Sequence, residues 1–244
     1  MSLACCHWAG ARRGLRLRMS HTGEAEMDVL WDGVTVAGQY QDWLQAARNG
    51  ISDSAKSSDW PRLFQILSEH RGYVNSPRIG ASSLYAPLHH AAYNNAPYEV
   101  IQQLIDLGAW RTLQNARGER PVDVAERRGF PHLIEVLSPV HKHHVPAGVL
   151  LKIQTHFHAV IRDRIDEGLP RHALRLPELE PLLELDKPKM WFAVPGMYGG
   201  FSYWLARTGA DAILTAESWC RMDDGSFQRH RINSLGSRLV KQGL

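Results

Sequence analysis

The chain has 244 residues, 44% of them hydrophobic, enough for one large domain or two small ones with a real core. Its 28 basic and 25 acidic side chains leave a formal charge of +3, too even for a general nucleic-acid or membrane-surface binder; nucleic acid is not an expected partner. No apolar run reaches the roughly 18 residues that span a bilayer, and three cysteines, Cys5, Cys6 and Cys220, do not make a disulfide framework, which favours a reducing, cytoplasmic setting.

Residues 1–27 read as a flexible leader. Arg12, Arg13, Arg16 and Arg18 give it basic character, but no apolar stretch suits a secretory signal, and Met19 and Met27 are alternative starts. Ordered patterning begins near Val29. Tyr40, Trp43, Leu44 and Ala47 predict a helix that caps whatever stacks after it. Ala55, Leu63, Phe64 and Leu67 then have the same mutual spacing as Ala92, Val100, Ile101 and Leu104, and Asn75 falls where Thr112 falls one unit later. The segment from Ser76 to Tyr85 is longer than its counterpart and predicts an extended hairpin finger.

Two stretches carry the repeat most clearly. Residues 86–91 read Ala-Pro-Leu-His-His-Ala and residues 120–125 read Arg-Pro-Val-Asp-Val-Ala. Pro87 and Pro121 suit the first turn of a helix, where a missing N–H costs little. Tyr98 to Leu107 has apolar residues on one helical face, and Gly108 follows where a left-handed cap is needed. Asn115 to Gly118 is a turn. Asp123, Val124 and Ala125 open the next helix, Gly129 stops it, and Leu133, Ile134 and Leu137 supply the next apolar face.

This pattern resembles the ankyrin repeat family, whose signature is Thr-Pro-Leu-His-x-Ala at a period of about 33 residues. Ala86 replaces the threonine, and the second copy is degenerate. The resemblance covers residues 50–138, or 38–138 with the cap. It implies a helical stack that exposes a long surface for a protein partner. By position, that surface is Arg78, Ile79 and Tyr85 on the first finger, Tyr93, Asn94 and Asn95 after the first helix, and Trp110, Arg111, Arg117 and Glu119 on the second finger. Aromatic and Arg side chains are those that interface hot spots favour, although Trp110 and Tyr93 could instead pack against the neighbouring module. His89 matches the family histidine, which hydrogen-bonds the backbone of an adjacent loop.

His141, His143, His144, His156 and His158 cluster at the end of the stack. Their spacing is that of no zinc motif, and residues 140–145 read as a polar linker. Residues 147–167 predict an amphipathic helix with Leu150, Ile153, Phe157, Val160 and Ile165 on its stripe. A proline-broken segment, residues 174–185, follows. Strands are expected at Met190–Val194, Phe201–Arg207, Ala212–Cys220, Phe227–Asn233 and Ser237–Val240, as an antiparallel meander under the helix.

In this second module Tyr198, Tyr203, Glu217, Trp219, Arg221 and His230 are candidates for a ligand or contact surface. Cys220 beside His230 could form a nucleophile pair, but no orienting group can be placed, and no catalytic residue, metal or cofactor is assigned. The fold class expected is α+β: a short ankyrin-type stack with an N-terminal capping helix, then one long helix and an antiparallel meander. The domains expected are residues 1–27, 28–140 and 145–244. The function expected is a non-enzymatic adaptor for a protein partner, in its narrowest form an inhibitor or immunity-type protein. The alternative is an enzyme or a small-ligand or anion-binding module at the C-terminus, targeted by the repeats.

Overall fold

The computed structural model describes residues 18–19, 25–26, 29–39, 41–165, 173–220 and 225–243. The expected leader and Tyr40 lie largely outside these residues. Of residues 1–27 only β1 (Arg18–Met19) and β2 (Ala25–Glu26) are described, paired antiparallel.

Six helices form three hairpins: α1 (Asp42–Lys56) with α2 (Trp60–Glu69), α3 (Pro87–Tyr93) with α4 (Tyr98–Asp106), and α5 (Pro121–Arg128) with α6 (Ile134–Leu137). Helices α1, α3 and α5 lie side by side, and α4 rests on α6. Small residues permit the close approach: Ala55, Ala91, Ala92 and Ala125 are fully buried among Ile51, Leu63, Leu67, Ile101 and Leu104.

The helix ends follow one chemistry. Pro87 and Pro121 each occupy the first helical position. Two residues on, His89 Nδ1 accepts from the Ala86 amide at 3.4 Å and Asp123 Oδ2 accepts from the Arg120 amide at 2.7 Å. The C-termini close with a six-residue backbone bond: Asp59 to Ser54, Ala96 to Ala91, Ala109 to Leu104 and Phe130 to Ala125. The left-handed residue in these caps is Ser58, Asn95, Gly108 or Gly129.

Two expectations about the stack need correction. The expected cap helix and the first repeat helix are one element, α1, which carries both Leu44 and Ala55 on its buried side. The segment from Ser76 to Tyr85 contains turns but no strand, so it is not an extended hairpin finger. It folds back on α1 instead. Arg48 Nη2 donates to the Pro77 carbonyl at 2.9 Å, the Ile79 amide donates to Asn49 Oδ1 at 3.2 Å, and the Gly80 amide donates to the Thr35 carbonyl at 2.8 Å. At its root lies a buried ion pair, Arg48 Nε to Asp32 Oδ2 at 3.1 Å, with side chains 0% and 4% exposed. Ser76 Oγ donates to the same carboxylate at 2.7 Å, and burial with the nearby Asp32 charge raises the Tyr73 phenol to about 12.

The second half is a six-stranded sheet in the order β3-β4-β5-β6-β7-β8. Strands β4 (Lys189–Val194), β5 (Gly199–Arg207), β6 (Ile213–Trp219), β7 (Phe227–Asn233) and β8 (Gly236–Gly243) form an antiparallel meander close to the expected bounds. The edge strand β3 (Val29–Trp31) was not expected there. It runs parallel to β4, so residues 29–31 belong to the sheet, while Asp32 and Thr35 just after them bind the stack. Gly199 and Gly200 let β5 approach its neighbours: a Cβ on Gly199 would meet the Trp219 carbonyl at 1.8 Å. Helix α7 (Ala147–Arg164) covers one face, burying Leu150, Ile153, Phe157 and Val160 against Phe192, Phe201, Tyr203 and Leu214. No helix among the described residues is long and apolar enough to cross a membrane.

The halves meet through a dense polar and aromatic seam. Trp31 of β3 stacks on Trp110 at 5.8 Å between centroids and 3° between planes, and the Arg175 guanidinium lies 5.1 Å from the Trp31 ring. Glu184, in the 3-10 turn Glu180–Glu184, accepts the Arg111 amide at 3.1 Å and the Thr112 amide at 2.8 Å. One layer earlier, Asn75 Oδ1 accepts the Trp110 amide at 2.8 Å. The second half thus supplies, by a side chain, what a further layer of the stack would supply.

Candidate functional site

Two exposed surfaces gather chemistry. The first lies along α1, α3 and α5. Tyr85 packs 5.3 Å from His90 and 6.2 Å from Tyr93 between ring centroids. Arg128 of α5 sits 4.3 Å from the centre of the Tyr93 ring, a cation–π contact across two hairpins. Arg127 donates to Glu119 Oε1 at 2.6 Å and to the Tyr85 hydroxyl at 3.2 Å. Those hydrogen bonds from Arg127 and Asn115 hold the Glu119 carboxyl below its ordinary value. Burial lowers His90 to about 4, so the ring is neutral near pH 7.

His89 stands behind this ridge. It is fully buried, its pKa lowered to about 3 by burial. With Nδ1 accepting from the Ala86 amide, Nε2 carries the proton and donates to the Glu119 carbonyl at 3.1 Å. It fixes the loop that carries Glu119, as the family resemblance implies for that histidine.

The expected contact residues divide. Tyr85, Tyr93 and Glu119 come together in the ridge. Arg78 is exposed and pairs with Asp53 at 2.9 Å, and Arg117 is exposed on the turn after Asn115. Ile79 and Trp110, both 4% exposed, are interior and offer no contact surface. Loop 74–86 folds inward over Ile79, and Trp110 is buried by Trp31. Asn94 donates to the carbonyls of Ala55 and Lys56 at 3.2 and 3.0 Å and is committed to the backbone, whereas Asn95, a left-handed helix cap, is exposed beside Tyr93. Arg111 is similarly occupied, with Nε donating to the Val136 carbonyl at 2.9 Å. His90, Arg127 and Arg128 were not anticipated. The signal was present, since His90 and Tyr93 stand three apart on α3 and therefore share a face.

The second surface is the sheet face opposite α7. Strand register places Lys189, Trp204, Thr215, Arg231 and Arg238 in one row across it, and Trp191, Ser202, Glu217, Arg229 and Lys241 in the next. Glu217 is the one carboxylate among these, and Arg229 neutralises it at 2.5 Å. A shallow concavity of about 510 Å³ is lined by Trp204, Ala206, Thr215, Arg229, Arg231, Val240 and Lys241.

The C-terminal candidates do not form one site. Glu217 and Trp219 lie on this open face. Tyr203 is fully buried on the other face, its hydroxyl donating to Met190 Sδ at 3.2 Å, with a pKa raised well above the ordinary value by burial. His230 also faces α7, where burial lowers its pKa against the Asp163 charge. Tyr198 is half exposed at the β4–β5 turn with φ +49°. Arg221 lies outside the described residues. Cys220 and His230 are not paired: His230 is opposite Ala216, while the Cys220 amide bonds to Ser226 and its thiol to the Met197 carbonyl. Among the described residues, no group of three or more His, Cys, Asp or Glu could hold a metal.

No protein-family model matches the chain, and no curated protein matches it.

Proposed function

We propose that the chain is a non-enzymatic scaffold of the ankyrin type that holds a protein partner along the ridge formed by Tyr85, His90, Tyr93, Arg127 and Arg128. The carrying observation is the contact of Arg128 with Tyr93, which joins two successive hairpins into one exposed aromatic and cationic surface. Buried aromatic and Arg anchors dominate binding energy at protein interfaces. The ankyrin assignment draws support from the three stacked hairpins, from Pro87 and Pro121 at equivalent positions, and from the matched acceptors His89 and Asp123. In its narrower form the partner is an enzyme or toxin whose active surface the ridge masks.

Affinity capture from the native cell tests this reading. The full chain should retain a specific protein that the variant Tyr93→Ala/Arg128→Ala loses, with both chains equally folded by circular dichroism. Unchanged capture by that variant sinks the ridge as the site. Loss of the captured protein's activity on complex formation separates an inhibitor from a simple adaptor.

A further inference from the structure

The open face of the sheet takes no part in the stack, the seam or the ridge. We infer that it binds single-stranded nucleic acid. The chain-wide balance of charge does not extend to this face, because among the described residues strands β4 to β8 carry one carboxylate, Glu217, and it is already matched by Arg229. Arg231 and Arg238 stand directly opposite each other on β7 and β8, with no carboxylate between them. Like charges directly opposed across strands oppose folding. An anion laid on the pair removes that repulsion.

The aromatic component decides which anion. Trp204 lines the concavity beside Arg229, Arg231 and Lys241, and it is partly exposed. An indole adds little to the recognition of a carboxylate side chain. It offers a base a stacking platform, while Arg231, Arg238 and Lys241 take the phosphates on either side. The concavity of about 510 Å³ is shallow and open, so a base can lie on Trp204 while its strand runs on across the face. Duplex nucleic acid does not meet this arrangement, because its bases are already stacked on each other. An acidic protein would use the cations and leave Trp204 idle.

Fluorescence anisotropy with the full chain and a labelled oligouridylate of about 12 nucleotides tests the inference. Binding should appear at low salt and weaken steeply between about 50 and 200 mM. Arg231→Glu/Arg238→Glu should reduce affinity by more than tenfold, and both positions are exposed enough to leave the fold intact. Trp204→Ala should reduce it roughly tenfold, while Trp204→Phe keeps most of it by retaining an aromatic face. Tyr93→Ala/Arg128→Ala should leave it unchanged, so the outcome is independent of the ridge. Three results overturn the inference: no binding at low salt, duplex bound as tightly as single strand, or oligoglutamate competing equally while Trp204→Ala has no effect. The last makes the face a site for an acidic protein.

Discussion

The stack and the sheet bury their apolar surface by different means. Each hairpin of the stack is covered by the next, so the ends need closing, and the last layer is closed by Glu184, Glu178 and Trp31 from the other half. Among the described residues the sheet has a single helix for a lid, so one face is packed and the other carries exposed Arg231, Arg238 and Lys241. The stack consequently exposes the edges of its helices, where Tyr93 and Arg128 touch across hairpins. On the face away from α7, alternation gathers Arg229, Arg231, Arg238 and Lys241 around one carboxylate, Glu217. Surface chemistry in each half follows from how its core is closed.

Removing Trp110 tests most severely whether the two halves form one body. Its ring is in the buried cluster of the sheet half, although its backbone belongs to the stack. Trp110→Ala should cost about 3–5 kcal/mol. In urea denaturation, helical circular dichroism and tryptophan fluorescence should shift together. Two separated transitions in the unmodified chain would show that the seam does not couple the halves.

Glu184→Gln acts on the same seam with less force. Glu184 accepts two amides and the Thr112 hydroxyl. Glutamine sets an NH2 against donors, and the loss should be about 1.5–3 kcal/mol. An unchanged urea midpoint would remove Glu184 as the terminal cap.

The next effect belongs to the stack and depends on pH. His89 and His90 have folded pKa values of about 3 and 4, below the ordinary 6.5. The unfolded chain therefore takes up their protons first as pH falls. Their stabilisation is complete above about pH 6.5 and declines below it, with a limiting slope of about 1.4 kcal/mol per pH unit for each group. His89→Gln should lower the slope between about pH 6.5 and 4 by at most one group's share, about 1.4 kcal/mol per pH unit, because His90, His158 and His230 are also lowered by burial. A profile identical to that of the unmodified chain would mean that His89 is not buried as a neutral base.

Local chemistry was legible in the sequence, and long-range placement was not. Pro87, Pro121, Gly108 and Gly129 announce helix starts and stops because their φ preferences are intrinsic. The strands from β4 onward were bounded by their turns. Ile79 was misread because its loop is held against α1 by Asn49, far along the chain, and for Trp110 the alternative reading, packing against the neighbouring module, is the one that Trp31 fulfils. For the same reason β3, only three residues long, could not be assigned to a sheet whose other strands begin at Lys189. The polar linker after Pro139 is more tied down than its composition suggests: Lys142 pairs with Asp186 at 2.8 Å and His143 bonds the Leu185 carbonyl at 3.0 Å. Phe227, Arg229 and Arg231 alternate onto one side of β7, and register shows that Arg238 and Lys241 of β8 join them.

The smallest expected change in stability carries the sharpest functional contrast. Arg128→Ala removes exposed cation–π contacts to Tyr93 and Phe130 and a long hydrogen bond to the Tyr93 carbonyl, and should cost only about 1 kcal/mol. The Tyr93 ring stays in place against Tyr85, so the ridge keeps its shape and loses its charge. If the ridge holds the partner, capture should weaken far more than stability does, because an Arg at the centre of an interface is used fully only when desolvated. Oligouridylate binding at the sheet should not move at all. A loss of both kinds of binding together, at unchanged stability, would show that the ridge and the sheet face act as one continuous surface. A loss of neither would move the partner site off the stack.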